Sequence, residues 1–194
     1  MDTAQFFLLH HERLYGQLRE LFGGLTDEQM RLRPHPRVTP IAWLFWHMAS
    51  CEDALSRLLA GRALVLDDGD FLARLNLPHR NSGVGMSDEQ VDLVSARVEL
   101  GALRAYQAAV GRRTEELVSG LRAGELGDVP DSRHLDSLFG DNGVFGGEAG
   151  AVRRIFHGRS KGWFLGHLGL THPREHLGQA ILVKKMQGLG SGRT

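Results

Sequence analysis

Four long stretches of the chain carry apolar residues at the spacing of one helix face. These stretches cover residues 4–22, 40–61, 87–121 and 160–186. Gly23 follows the first stretch, Pro40 opens the second and Ser87 is placed to cap the third, as helix start and stop preferences require. Strand-like alternation of any length is lacking. The pattern predicts an all-α protein, a four-helix bundle with long connections.

The connections between these stretches are rich in glycine, proline and polar residues. Thr26 is placed to cap a short helical turn after the first helix. Residues 124–159 are predicted to form a long Gly-rich loop before the last helix, and a loop of that length is usually a lid or a binding element. Residues 188–194 read as a flexible tail. We therefore predict a single domain over residues 1–194.

Composition and charge narrow the classes of partner. The chain is 42% hydrophobic and 24% charged, with 23 basic and 23 acidic residues and a formal net charge of zero. We therefore expect neither nucleic acid nor a membrane as partner. The longest apolar window is shorter than the roughly 18 residues that a bilayer span needs. With no secretory signal at the start and a lone cysteine, Cys51, a cytoplasmic location is expected.

A pair of histidines in the last predicted helix points to metal chemistry. His172 and His176 are four residues apart, so both imidazoles lie on one helix face and can reach one ion. Leucines surround the pair, and two buried imidazoles without partners would each cost about 1–3 kcal/mol. The alternative is a surface or hydrogen-bonded pair without an ion. The spacing alone does not separate these two interpretations.

A third histidine, His47, lies in the most apolar stretch of the chain, residues 41–49. A lone histidine on such a face is more often a hydrogen-bonded core residue than a ligand. In helix bundles, however, metal sites are built from side chains of facing helices. A third imidazole would complete a three-histidine site with positions open for water or substrate. We therefore predict that His47, His172 and His176 bind one metal ion.

The same region also has the form of a zinc-protease motif. His172-x-x-Glu175-His176 matches the inverted zinc-protease pattern, but that chemistry needs a carboxylate ligand downstream and no Asp or Glu follows Glu175. We reject this interpretation. Pro173 removes the amide hydrogen bond to the carbonyl of Gly169, so the sequence predicts either a kink beside the ligands or a new helix that begins near Pro173.

Other polar residues near the predicted site have simpler interpretations. Cys51, one turn after His47, is expected to be a small buried residue, with a role as a soft metal ligand as the alternative. Gln179 either orients a ligand or lies on the helix surface. Glu52 and Asp53 are expected on a solvated face. The remaining histidines are expected in polar, loop or supporting positions: His10, His11, His35, His79, His134, His157 and His167.

Two segments together resemble the DinB/YfiT superfamily. They are Ile-Ala-Trp-Leu-Phe-Trp-His at residues 41–47 and His-x-x-x-His-Leu-Gly-Gln at residues 172–179. The similarity extends from the first helix to the second of these segments. It implies a four-helix bundle, usually a homodimer, with a three-histidine site for zinc, nickel or a similar ion such as iron. By position, the ligands are His47, His172 and His176.

Characterised members of that superfamily act with low-molecular-weight thiols such as bacillithiol or mycothiol. The resemblance therefore implies a metal-dependent S-transferase for a small-molecule substrate, in which the ion lowers the pKa of the thiol. One alternative is a metal-dependent hydrolase that uses a metal-bound water. Another is a non-enzymatic metal-binding stress-response protein, in which the histidines only hold the helices together. Pro173 and the Gly-rich segment 124–159 depart from the superfamily pattern beside the site.

Overall fold

The computed structural model of the protein describes residues 1–140, 142–147 and 149–189. Within those residues all regular secondary structure is helical, which confirms the all-α fold class. The α-helices are α1 (Thr3–Gly23), α2 (Asp27–Arg31), α3 (Ile41–Ala60), α4 (Phe71–Arg74), α5 (Asp88–Arg97), α6 (Leu100–Gly120), α7 (Ser132–Asp136), α8 (Gly150–Phe156), α9 (Lys161–Gly166) and α10 (His172–Met186). Short 3₁₀ turns span Val65–Asp67 and Ala123–Gly127, and a π-helical turn spans His167–Thr171.

Helix α3 is the central element of the fold. It packs against α6 and α10, and α1 packs against the same two helices, so each of the four long helices contacts two others. α3 also contacts the shorter α2, α5, α7 and α9. Nearly every side chain of α3 from Ile41 to Leu59 is buried. A helix that is apolar on all sides is expected at the centre of a protein, and α3 follows that rule.

The third predicted helix, 87–121, is two helices in the structure. Ser87 caps α5 as predicted, but the backbone of Val98 is extended, with φ −54° and ψ 127°. Glu99 then caps α6 by accepting a hydrogen bond from the amide of Ala102 at 2.6 Å. The prediction of one helix was wrong because no proline marks the break, the nearby Gly101 lies inside α6, and both halves keep the same apolar periodicity.

The segment predicted as a long loop, 124–159, contains α7, α8 and most of a 3₁₀ turn. Its aromatic residues pack on one another: the ring centroids of Phe145 and Phe156 are 5.2 Å apart, and those of Phe156 and Phe164 are 5.0 Å apart. Phe145 and Phe156 are both buried. These aromatic residues are spaced irregularly along the chain, so they carry no helical period that the sequence could have revealed.

None of the helices in the described part of the chain is long and apolar enough to cross a membrane. α10 ends at Met186, and most of the predicted tail, 190–194, lies outside the described residues.

Two acidic residues of α3 lie in the core rather than on the predicted solvated face. Asp53 is 1% exposed and accepts hydrogen bonds from the amides of Val65 and Leu66, at 2.8 and 2.9 Å. The hydroxyl of Tyr106 on α6 also donates to Asp53, at 2.9 Å. The carboxylate therefore joins α3 to α6 and to the turn that follows α3.

The second acidic residue, Glu52, joins α3 to α1. It accepts hydrogen bonds from Nε2 of His11 at 2.8 Å and from the hydroxyl of Tyr15 at 2.9 Å. His11 is fully buried, so the polar setting expected for it was wrong. Its second ring nitrogen, Nδ1, lies 3.5 Å from a carboxylate oxygen of Glu115 on α6. One buried imidazole therefore lies between two acidic side chains.

This arrangement predicts a pH-dependent contribution of His11 to stability. Burial by itself lowers the pKa of His11, but the hydrogen bond and charge of Glu52, with Glu115, outweigh burial and leave the pKa above 6.5. The folded state thus holds the proton more tightly than the unfolded chain. The stabilisation that protonated His11 provides is therefore complete below pH 6.5, and it is lost as the pH rises through the pKa of His11 in the folded state. We expect His11→Asn to lower the free energy of unfolding more at about pH 6 than at about pH 8.

Urea unfolding at both pH values measures this difference, and comparing variant with wild type cancels the titration of other groups. His10→Asn is the matched control, because the neighbouring His10 is only partly buried. Its effect on the free energy of unfolding should be small. An equal loss at both pH values for His11→Asn would show that His11 acts through packing alone.

Candidate metal centre

The three predicted ligands lie on two helices that pack against each other. His47 is on α3 and is 6% exposed, while His172 and His176 lie in the first two turns of α10. Nε2 of His172 is 3.1 Å from Nε2 of His47 and 3.1 Å from Nε2 of His176. The ring centroids of His47 and His176 are 4.8 Å apart. The structure therefore brings all three imidazoles together.

A π-helical turn directly precedes the pair on α10. Pro173 has no amide hydrogen, and in a regular α-helix its ring would crowd the carbonyl of Gly169. The helix instead widens between His167 and Thr171, where the amide of His172 bonds to the carbonyl of His167, five residues back. The α-helix α10 begins at His172, next to Pro173, as one of the two predicted outcomes requires, and the π-helical turn joins it to the segment before it. Such π turns often occur at functional sites.

Two hydrogen bonds orient the imidazoles. Nδ1 of His47 donates to the carbonyl oxygen of Ser82 at 2.6 Å, and Nδ1 of His176 donates to Oε1 of Gln179 at 2.8 Å. Because a carbonyl oxygen only accepts, each Nδ1 carries the hydrogen and each Nε2 keeps an electron pair. Gln179 therefore makes the contact that its predicted orienting role requires. Ser82 was not predicted, because a backbone carbonyl leaves no mark in residue type.

The glycine at position 83 allows the loop to bring Ser82 to His47. Gly83 has φ +89°, and a Cβ atom there would lie 2.7 Å from the ring of Trp43 and 2.8 Å from that of Trp46. Ser82 is held in turn by a hydrogen bond from its amide to the carbonyl of Val144. The Gly-rich segment thus supports the orientation of His47 through this loop.

The donor set fits a divalent ion. The electron pairs of His47 and His176 face Nε2 of His172, which in its neutral form offers at most one hydrogen to both. An ion about 2.0–2.1 Å from each nitrogen in tetrahedral geometry holds the nitrogens about 3.3 Å apart. The observed separations of 3.1 Å are close to that value. Imidazole nitrogen suits zinc, nickel and iron.

Burial keeps His47 and His172 neutral. It lowers the pKa of His47 to about 4, against the opposing effect of the hydrogen bond to Ser82. Burial, followed by the charges of His47 and His176, lowers the pKa of His172 to about 2. Because imidazole binds a metal only in its unprotonated form, both residues are ready to act as ligands at neutral pH.

Comparison with known proteins agrees with this architecture. The family model of the DinB superfamily matches residues 10–180. This chain belongs to the DinB superfamily. The crystal structure of a conserved protein from Enterococcus faecalis is similar to it with a TM-score of 0.67 and 19% sequence identity, over 96% of this chain and 97% of that one. None of the curated proteins matches the chain. At such low identity the structural likeness shows the fold, so the chemistry is argued from the site itself.

The thiol of Cys51 lies beside the histidines in this DinB superfamily member. Its Sγ and the ring nitrogens of His47 and His172 form a group of candidate donor atoms within 4.8 Å of one another. Sγ is 3.8 Å from both Nδ1 and Nε2 of His47, so it does not lie along the Nε2 electron pair, where an ion would bind. Burial also raises the pKa of the thiol to about 12. Cys51 and His176 are therefore the two candidates for the third donor beside His47 and His172, and only the electron pair of His176 faces His172.

The centre is closed on one side and accessible on the other. The ring of Trp43 stacks on that of His47 with centroids 4.6 Å apart, and both side chains are buried. His172 and His176 are partly exposed. The ring of His167, also partly exposed, lies 5.9 Å from that of His172. A small molecule can therefore approach the histidines from the side of α10, where the ring of His167 lies next to them.

The contact to Gln179 predicts a measurable effect on metal affinity. Gln179→Leu removes the acceptor that fixes the ring of His176, and loss of such an orienting partner typically weakens metal binding about 10–100-fold. Competition between the protein and a chromophoric zinc chelator measures the change. Arg174→Leu, an exposed position on the same helix, is the control and should bind zinc like the wild type. Equal zinc affinity for both variants would mean that Gln179 does not orient the ligand.

Proposed function

We propose that the protein binds one divalent metal ion through His47, His172 and His176 and transfers a low-molecular-weight thiol of the bacillithiol or mycothiol type to a small electrophile. The observation that carries the proposal is the convergence of three Nε2 atoms. Ser82 and Gln179 fix two of these nitrogens as electron-pair donors. Membership of the DinB superfamily supports the same conclusion.

Each side chain around the centre has a role under this proposal. The stacked ring of Trp43 keeps water away from the buried face of His47. The partly exposed side, next to His172 and His176, leaves room for the thiol and the electrophile. A bound divalent ion would supply the positive charge that lowers the pKa of a thiol beside it. In the transfer, the sulfur bonds to the electrophilic carbon, the thiol proton goes to solvent, and the leaving group departs with its electron pair.

The thiol must come from outside the chain. Cys51 is the only cysteine, and it is 2% exposed. Burial raises the pKa of its thiol to about 12, so it remains protonated at neutral pH. A buried, protonated thiol is a poor nucleophile. An added low-molecular-weight thiol is therefore part of the proposed reaction.

The geometry favours thiol transfer over the hydrolase alternative. Hydrolysis by an activated water is usually assisted by a general base within hydrogen-bond reach. The group of donor atoms found at the centre in the described part of the chain contains histidine and cysteine and no carboxylate. The nearest further imidazole, that of His167, is held by Thr171 at 3.4 Å.

The test is thiol consumption by zinc- or nickel-loaded protein with a panel of alkyl halides and epoxides. Cysteine, bacillithiol and mycothiol are compared with no thiol, and products are identified by mass spectrometry. We expect turnover only with a thiol, lost in His172→Ala and kept in His157→Ala, which changes an exposed histidine. Turnover without thiol would instead indicate a hydrolase. Metal binding with no turnover of either kind would favour a non-enzymatic role.

We also propose that the protein is a homodimer, as the superfamily resemblance implies, and that it is cytoplasmic. Sedimentation equilibrium of the purified protein tests the first. Cell fractionation tests the second.

A further inference from the structure

A cavity opens between α1 and α6, and none of the three histidines lines it. Its volume is about 570 Å³, which is in the range of small-molecule sites. Two of the α6 residues that line it, Ala108 and Gly111, are small. A Cβ atom on Gly111 would lie 2.4 Å from the ring of Tyr15, so the ring can lie against the α6 backbone only because position 111 is glycine. Ala108, one turn earlier, also lines the cavity and leaves the groove open.

Three guanidinium groups line the same cavity. They belong to Arg19 on α1 and to Arg104 and Arg112 on α6, and all three residues are exposed. Among the described residues, none of the three forms an ion pair with a carboxylate. Arg104 lies over the ring of Phe22 at 4.6 Å from its centroid. The one acidic residue of the lining, Glu115, faces Nδ1 of His11 at 3.5 Å. The lining therefore carries an excess of positive charge.

A side-chain amide adds a neutral polar group to the lining. Gln107 lines the cavity and is 6% exposed. No hydrogen bond joins its side-chain amide to another group in the part of the chain that the structure describes. The side-chain nitrogen and oxygen of Gln107 are not sealed from solvent, so the amide can bond to water or to a ligand. Its position in the wall of a positively charged cavity lets the amide contact a polar group of a bound molecule.

We propose that this cavity binds a small organic anion. Its carboxylate or phosphate group contacts the guanidinium groups of Arg19, Arg104 and Arg112, which are suited to bidentate binding of such groups. Its apolar body lies against the rings of Tyr15 and Phe22, and a polar atom bonds to the amide of Gln107. The site is separate from the metal centre, and its occupation does not depend on a bound metal ion.

Isothermal titration calorimetry with phenyl phosphate and benzoate tests the proposal, because each probe joins a flat ring to one of the two anionic groups. Inorganic phosphate and benzyl alcohol are the matched probes that lack the ring or the charge. We expect at least one ring-bearing anion to bind more tightly than both matched probes. We also expect Arg112→Ala to weaken its binding at least about tenfold, as loss of a charge-assisted hydrogen bond implies. Arg13→Ala, an exposed arginine of α1 outside the cavity, should leave it unchanged.

Filling the cavity separates the proposed site from adventitious binding at its rim. Ala108→Phe keeps all three arginines and should abolish binding of the ring-bearing anion, with helicity and thermal unfolding like those of the wild type. The proposal fails if no ring-bearing anion binds in the millimolar range, or if Arg13→Ala loses as much affinity as Arg112→Ala. It also fails if Ala108→Phe binds normally. Sedimentation of the wild type and of Ala108→Phe tests whether a second copy of the chain covers this face. If the wild type is a dimer and Ala108→Phe is a monomer, the cavity is part of a dimer interface and the proposal is overturned.

Discussion

Replacing His172 by alanine is expected to reduce the metal content of the purified protein from about one ion per chain to nearly none. His172 lies between the other two ligands, with its Nε2 3.1 Å from the Nε2 atoms of both His47 and His176. Loss of a group that only orients a ligand costs about 10–100-fold in metal affinity, so loss of the central ligand should cost more than about a hundredfold. Elemental analysis of the protein as purified measures the effect.

His157→Ala is the matched control for this experiment. His157 is exposed and follows α8, outside the histidine cluster, so its replacement should leave the metal content unchanged. Unfolding curves in the presence of a chelator show whether His172→Ala is folded. If a folded His172→Ala protein retains as much metal as the wild type, the three-histidine centre is not where the metal binds.

The three histidines that meet in the structure could be singled out from residue types, because each leaves a local mark. His172 and His176 have the spacing of one helix face, and His47 interrupts the most apolar helix of the chain. The groups that orient two of them are of different kinds. Gln179 is one turn from His176 and was among the candidates. Ser82 contributes a backbone carbonyl from a distant loop, so its role depends on tertiary structure that no local pattern encodes.

The burial of Glu52 and Asp53 was not predicted, although the sequence carries a signal for it. Glu52 and Asp53 were expected on a solvated face because charged residues are mostly exposed. However, α3 has apolar residues on all sides and is therefore a central helix, which leaves no solvated face for them. Charged residues on such a helix must be paired or hydrogen-bonded. His11 is one of the partners, but the polar residues His10 and Glu12 on either side of it conceal its burial.

Helix ends were predicted better than helix interruptions. Thr26 and Ser87 cap their helices as predicted, since each accepts a hydrogen bond from the amide three residues ahead. The break at Val98 and the π turn before His172 were not predicted. At Val98 a valine takes an extended conformation that its residue type does not demand. At the π turn, Pro173 signalled a disturbance, but the sequence did not indicate that a wider turn would absorb it.

Asp53→Asn is expected to lower the free energy of unfolding by about 3 kcal/mol or more, because it disrupts a buried carboxylate that only accepts hydrogen bonds. The two oxygens of Asp53 accept from the amides of Val65 and Leu66 and from the hydroxyl of Tyr106. Asparagine replaces one oxygen with an NH₂ group, which would face these donors and leave at least one of them unpaired. The corresponding fall in Tm is about 6–12 °C for a chain of this size.

The comparison is best made at about pH 8, above the pKa of about 6 to which burial raises Asp53, so that the wild-type carboxylate is ionised. Asp92→Asn is the control, because the side chain of Asp92 is 55% exposed and, among the described residues, pairs with Arg33 alone. Surface ion pairs are worth about 0–1 kcal/mol, so this variant should unfold within about 1 kcal/mol of the wild type. Equal losses in the free energy of unfolding for the two substitutions would mean that the hydrogen bonds of Asp53 do not stabilise the fold. Asp53 would then hold neither α6 nor the turn after α3 to the central helix. A large loss for Asp53→Asn alone would identify this carboxylate as the polar link that fixes α3, and His47 with it, against α6.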